Sequence, residues 1–419
     1  MANIQGVAAT TTAVNSNPQH GHNFALISLT SLFFMWGFIT ALNDILIPHL
    51  KGIFSLNYTQ AMLVQFCFFG AYFIVSMPAG FIVKKIGFQW GIGLGLLMAA
   101  AGCLLFIPSA LWHTYWMFLG AFFVLAAGIT ILQVAANPLV TLLGNPLKAS
   151  SRLTMTQAFN SLGTTIAPII GGYLLFSSVQ GSAEEEAQRV IGPYVILALM
   201  LVSLAIYFVK IKLPQQTQAE TADIASSVNL SLLQNRHLVL GAVGIFVYVG
   251  AEVAIGSFLV NFLGEAHIAN MPEAVAANYI AYYWGGAMVG RFIGALLMQK
   301  ISPRTLLSFN CALSVALILT AVFGSGAVAM WAILAVGLCN SIMFPTIFSL
   351  AIHGLGENTS KGSGLLCLAI VGGAIVPVLQ GMLADAVGLQ LSFLLPAVCY
   401  VYIAYYGFAG AEPKQYTVA

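Results

Sequence analysis

Apolar stretches recur along the chain at roughly 24 to 50, 59 to 83, 89 to 108, 113 to 143, 152 to 177, 191 to 211, 237 to 263, 276 to 299, 304 to 323, 327 to 352, 361 to 385 and 391 to 409, with short polar breaks between them. Each reaches about the 20 residues that a helix needs to cross a bilayer, so the pattern predicts twelve spans. Gly and Pro inside a span are no objection, because neighbouring helices can satisfy loosened backbone groups. One long polar connection, from Leu213 to His237, separates two sets of six. Gly80 and Gly290, Pro138 and Pro345, and Pro168 and Pro377 each stand about 210 residues apart, the mark of an internal duplication. The expected fold is an all-α membrane protein of twelve transmembrane helices in two pseudo-symmetric six-helix bundles. Its parts are a tail over 1–23, a bundle over 24–212, a linker over 213–236, a second bundle over 237–409 and a tail over 410–419.

Composition narrows the class. Of 419 residues 60% are hydrophobic and only 6% charged, where a soluble domain carries about 25%. A net charge of +2, with no basic run longer than Lys84-Lys85, gives no reason to expect nucleic-acid binding. Six cysteines sit singly in apolar stretches with no CxxC, as buried small hydrophobes do. The polar first 23 residues lack a basic start, an apolar core and a cleavage site, so no cleaved signal peptide is expected. Placing the N-terminus inside puts Lys84, Lys85, Lys148, Arg152, Lys210, Lys212, Arg236, Lys300, Arg304, Lys361 and Lys414 on the cytoplasmic face, against Lys51 and Arg189 outside. Both termini are therefore expected in the cytoplasm.

Three charges fall inside spans: Asp44 in the first, Glu252 in the seventh and Arg291 in the eighth. A carboxylate at mid-membrane costs about 2.5 to 3.5 kcal/mol on insertion scales, so each needs a partner, a water-filled cavity or a proton. Asp44, preceded by Asn43 and followed a turn later by Pro48, reads as a group that gains and loses an ion. Glu252 is either a second such group or half of a structural pair with Arg291. Arg291, leading toward Lys300 and Arg304, reads as an anchor at the cytoplasmic end.

Neutral polar residues also gather in certain spans: Gln65, Gln133, Asn137, Gln157, Asn160, Asn278, Tyr283, Trp284 and Asn340. Amides donate and accept, which suits a neutral polyol, and aromatic faces pack on the apolar face of a pyranose. Amides between membrane helices also serve as glue. Seven histidines lie at termini, loops or span ends with no metal-pair spacing, and the glycines form no phosphate loop, so catalysis finds little support.

The Gly80-x3-Lys84-Lys85-x-Gly87 stretch resembles a degenerate loop motif of the major facilitator superfamily, with Lys84 where an Asp is usual. FITALNDILIPHLK (38–51), QFCFFGAYF (65–73), ILQVAANP (131–138), QAFNSLGTTIAPI (157–169), YVGAEVAIGSFLV (248–260), YYWGGAMVGRFIG (282–294), NSIMFPTIFSLA (340–351) and AIVGGAIVP (369–377) resemble the fucose permease family over nearly the whole chain, and within it the bacterial glucose/galactose transporter branch. The resemblance implies an alternating-access sugar symporter of the bacterial inner membrane. Asp44 falls at that family's proton-coupling acid, while Gln133 replaces a second acid, for which Glu252 is the candidate. It implies H+ as the coupling ion, with Na+ at Asp44 the alternative, and no other cofactor. The expected partners are a neutral monosaccharide and the lipid bilayer, with the protein a monomer. Competing expectations are a fucose, mannose or N-acetylglucosamine symporter, a drug/proton antiporter, for which Gly163-x4-Pro168-x2-Gly171-Gly172 speaks, and a sugar sensor without transport.

Overall fold

A chain that enters the bilayer must satisfy its backbone hydrogen bonds without water, and among the described residues this one does so with helices. The computed structural model describes residues 18–53, 58–112, 114–176, 191–211 and 232–412, with side chains outside 18–23, 42–53, 58–65, 168–176, 273, 274 and 277. The first six spans are α1 (Pro18–Ile53), α2 (Tyr58–Ile86), α3 (Phe88–Leu111), α4 (Tyr115–Leu142), α5 (Ala149–Phe176) and α6 (Ile191–Lys210). Spans seven to nine are α7 (Arg236–Gly264), α8 (Glu273–Leu297) and α9 (Pro303–Phe323). The last three are interrupted. Span ten is α10 (Gly326–Asn340) and α11 (Met343–Ala351), and span eleven is α12 (Thr359–Leu368) and α13 (Gly372–Val387) joined by a 3-10 turn. Span twelve is the short α14 (Leu389–Ser392) and α15 (Leu394–Tyr405), closed by a π-turn.

The same pairs of spans pack in both halves. Spans one and five, two and four, three and four, and three and six have their counterparts in seven and eleven, eight and ten, nine and ten, and nine and twelve. The twelve helices therefore form the two pseudo-symmetric bundles that the repeated Gly and Pro positions predict. Small residues set the close approaches. A Cβ on Gly95 of α3 would stand 2.7 Å from the Leu132 nitrogen of α4, and one on Gly290 of α8 would stand 2.6 Å from the Leu338 oxygen of α10.

Successive spans run up and down, so the loops bearing Lys84, Lys148, Lys300 and Lys361 share one end, the basic end. Two arginines there cap helices. Arg152 donates to the Val140, Thr141 and Asn145 carbonyls at the end of α4, and Arg304 to those of Gly407 and Phe408 after α15. A cation is favourable at a helix C-terminus.

The halves meet from the basic end to mid-depth. Ser150 and Ser349 hydroxyls are 2.6 Å apart, and Ser151 donates to the Ala295 carbonyl at 2.6 Å. Gly80 of α2 lies against α12: a Cβ there would sit 2.9 Å from the Ser360 oxygen. Lys84 faces Glu357 across the halves at 3.8 Å, and Lys361 lies 5.1 Å over the Phe81 ring. The acid missing from the Gly80–Gly87 loop thus has a counterpart on the opposite half.

Candidate functional site

The helix α4 runs unbroken through Pro138 and presents Gln133 and Asn137 one turn apart. Its Leu132 and Ala135 pack on α3 at Gly95 and Gly91, so the two amides occupy the opposite face. From that face the Val134 carbonyl accepts the Ser363 hydroxyl of α12 at 2.9 Å, which makes it a surface between the halves. Asn137 is fully buried, and neither its amide oxygen nor its nitrogen has a partner; Gln133 is 4% exposed with Oε1 unpartnered. The Thr154 hydroxyl of α5 is in the same condition, and Gln157, further along α5, is buried. Asn160 is differently placed. Its Nδ2 donates to the Phe33 carbonyl of α1 at 2.9 Å, so this amide fastens α5 to α1.

In the other half the break in span ten organises the polar groups. Where α10 stops at Asn340, the carbonyls of Asn340 and Ser341 leave the helical ladder and take side-chain donors. Tyr248 of α7 gives its hydroxyl to the Asn340 carbonyl at 3.1 Å and to Glu252 Oε1 at 2.7 Å. Arg291 Nε donates to the Ser341 carbonyl at 3.2 Å. The Asn340 side chain donates to the Tyr283 hydroxyl at 2.7 Å, and Tyr283 donates in turn to the Glu252 carbonyl at 3.3 Å. Tyr283 is fully buried, so its hydroxyl is engaged within this network. Trp284, 44% exposed, stacks edge-on to Tyr283 at 5.1 Å beside Gly256, and Asn278 is exposed on α8.

The reading of Arg291 as an end anchor is overturned. Its Nη2 lies 3.9 Å from Glu252 Oε1, and Nη1 donates to the Ser161 hydroxyl on α5, in the opposite half. Arg152 and Arg304 do the capping at the basic end; Arg291 instead reaches inward, because an acid is there to meet it. Asn43 and Asp44 of α1 and Gln65 of α2 have side chains that lie outside the described residues, as do residues 213–231 of the linker.

The structure thus gathers the candidates into a group of amides on α4 and α5 and a network around Glu252, joined by Arg291 and Ser161. Sequence reasoning passed over Tyr248, Ser161 and Ser341. A signal existed for each: Tyr248 precedes Glu252 by four residues and Ser161 follows Gln157 by four, a spacing that shares a helix face, and Pro345 leaves the Ser341 carbonyl, four residues before it, without its helical donor.

The Major Facilitator Superfamily model matches residues 25–369. A glucose/galactose transporter of Brucella abortus is 59% identical over 398 residues, covering 95% of this chain and 96% of that protein. The L-fucose-proton symporter of Escherichia coli K12 is 35% identical over 401 residues, covering 91% of each. A crystal structure of the E. coli fucose:proton symporter matches with a TM-score of 0.84 at 32% identity, covering 93% of this chain and 98% of that one. A second, described as in the outward conformation, also gives 0.84, at 31% identity and 93% and 99% coverage. This chain is a multi-pass membrane transporter, not an enzyme, and belongs to the Major Facilitator Superfamily, in the group of the bacterial glucose/galactose transporters and fucose:proton symporters.

Proposed function

We propose that this transporter is a symporter that carries a neutral hexose, glucose or galactose, into a bacterial cell with a proton, by alternating access across the inner membrane. The names of its relatives support a sugar as substrate and the proton as coupling ion. The positive-inside rule makes the basic end cytoplasmic. The observation that carries the substrate class is the fully buried Asn137 with its whole amide unpartnered, beside Gln133 with a free oxygen. Leaving a buried polar group unpaired costs about 1–3 kcal/mol. Two such groups on one face between the halves are accounted for if a ligand rich in hydroxyls completes them when the halves part, and Gln157 extends the same face. Asp44 carries the coupling proton, with Glu252 as the second ionisable group.

Protonation of Asp44 changes the relative stability of the outward-facing and inward-facing states, and that difference converts a proton gradient into sugar accumulation. Proteoliposomes given labelled glucose or galactose should concentrate it when a pH gradient is imposed. A sodium gradient alone should not drive uptake. Replacing Asp44 by Asn should abolish uphill accumulation and leave sugar exchange across the membrane. Accumulation by sodium alone, or undiminished accumulation in D44N, refutes the coupling assignment; binding without exchange would make the protein a sensor.

A further inference from the structure

Arg291 lies six residues before the end of α8, about 9 Å from that end at 1.5 Å per residue. Its partners lie deeper: Ser161 is about 18 Å along α5 from the basic end and Glu252 about 24 Å along α7. The three guanidinium nitrogens take three separate partners. Nε is on the Ser341 carbonyl and Nη2 faces Glu252 Oε1 at 3.9 Å, both in the C-terminal half, while Nη1 is on the Ser161 hydroxyl of the N-terminal half. A planar fork of fixed donors can hold such a set, where an ammonium would give a single point of charge.

The balance that keeps this side chain extended is electrostatic. The Arg291 and Glu252 side chains are only 16% and 13% exposed. A guanidinium this far from water needs a counter-charge; without one, a long basic side chain withdraws toward the nearer interface. For Arg291 that interface is the basic end, within reach of its own stem. The described groups facing Glu252 are Tyr248 on its own helix, Arg291 and Tyr283 on α8, and the buried Tyr400 on α15. Among the described residues Glu252 is the acid within ion-pair reach of Arg291.

We infer that Arg291 is a positioning residue that transmits the charge of Glu252 to the contact between the two halves. With Glu252 ionised, Arg291 is drawn to mid-depth, where its Nη1 finds Ser161 and holds α5 to α8. With Glu252 protonated, the arginine loses its counter-charge and withdraws to the basic end; the bond to Ser161 breaks and the halves are freed to part there. The proton stays on the carboxylate oxygen and no other covalent bond changes; the arginine gives up its contacts with Ser161, Glu252 and the Ser341 carbonyl together. A neutral acceptor on the far side suits a tether that must be released in each cycle, because a carboxylate at position 161 would hold the cation in either state. The inference rests on the proton-coupled, alternating-access reading above and adds to it the element that senses the proton.

The test follows the separation of the halves. Spin labels at Leu147 and Ile301, exposed loop positions in opposite halves at the basic end, report it in the full chain in nanodiscs by pulsed dipolar spectroscopy. In the wild type the open fraction at the basic end should fall as pH rises. Glu252→Gln should raise the open-to-closed ratio about tenfold, in keeping with one lost charge-assisted hydrogen bond, and flatten the pH response. Ser161→Ala should do the same while leaving the carboxylate in place, and as a one-atom change it serves if E252Q does not fold. Unmoved distance distributions in these variants overturn the inference. So does a shifted ratio with the wild-type pH response intact, since that is what a merely structural contact would give. Hexose uptake by the unlabelled wild type on a proton gradient is measured in parallel. Uptake with unmoved distances sinks the tether alone, whereas shifted distances without uptake sink the transport reading and leave the tether standing.

Discussion

The contact of α2 with α12 gives a direct handle on the closed state. Gly80 and Gly364 face each other across the halves: a Cβ on Gly80 would lie 2.9 Å from the Ser360 oxygen and 3.3 Å from the Lys361 Cα, and one on Gly364 would lie 2.7 Å from the Ser76 oxygen. Ordinary van der Waals contact begins near 3.4 Å, so Gly80→Val places its Cβ about half an ångström too close to backbone and adds two methyl groups beyond it. Backbone atoms yield only if the helix moves, and overpacking of this kind costs about 1–3 kcal/mol. The clash exists only while the halves are together. The closed-to-open ratio at the basic end should therefore fall roughly 5- to 150-fold, at 1.4 kcal/mol per factor of ten. Ser360, 6% exposed in this interface, supplies the reporter. In a Ser360→Cys background, an impermeant maleimide added from the basic side should react faster by about that factor once Gly80 is Val. An unchanged labelling rate would show that the contact does not limit opening and would refute the reasoning.

Two further experiments probe the interface and the amide face. Lys84→Glu should favour opening only slightly, by about 0–1 kcal/mol because the pair is solvent-exposed, and adding Glu357→Lys should restore the wild-type labelling rate; failure of the swap to restore it would remove the Lys84–Glu357 pair from the latch. Asn137→Leu removes both unpartnered amide atoms, so thermal unfolding in detergent should be unchanged or shifted upward, while hexose uptake should fall at least tenfold; retained uptake would exclude Asn137 from the sugar site.

The amino-acid sequence alone determined the membrane class, the number of spans and their grouping into two halves, since a bilayer imposes on every crossing segment a length and an apolarity that can be counted. It also singled out Asp44 and Glu252, because a carboxylate in such a segment is costly wherever the helix packs. Pro345 has no N–H for the Ser341 carbonyl four residues before it, so a weak point in span ten was legible in the sequence. What was not legible is which donors take up the loosened carbonyls, since Tyr248 and Arg291 come from α7 and α8. The sequence offered the Glu252–Arg291 pair only as one of two readings of Glu252, because the sequence neighbours of Arg291 toward Lys300 point to the basic end; the structure shows the pair. The partners that draw the side chain inward are 39 residues away at Glu252 and 130 away at Ser161. Which way a long cation turns depends on the nearest counter-charge in space, and only the packing of α5, α7 and α8 against one another brings that charge within reach.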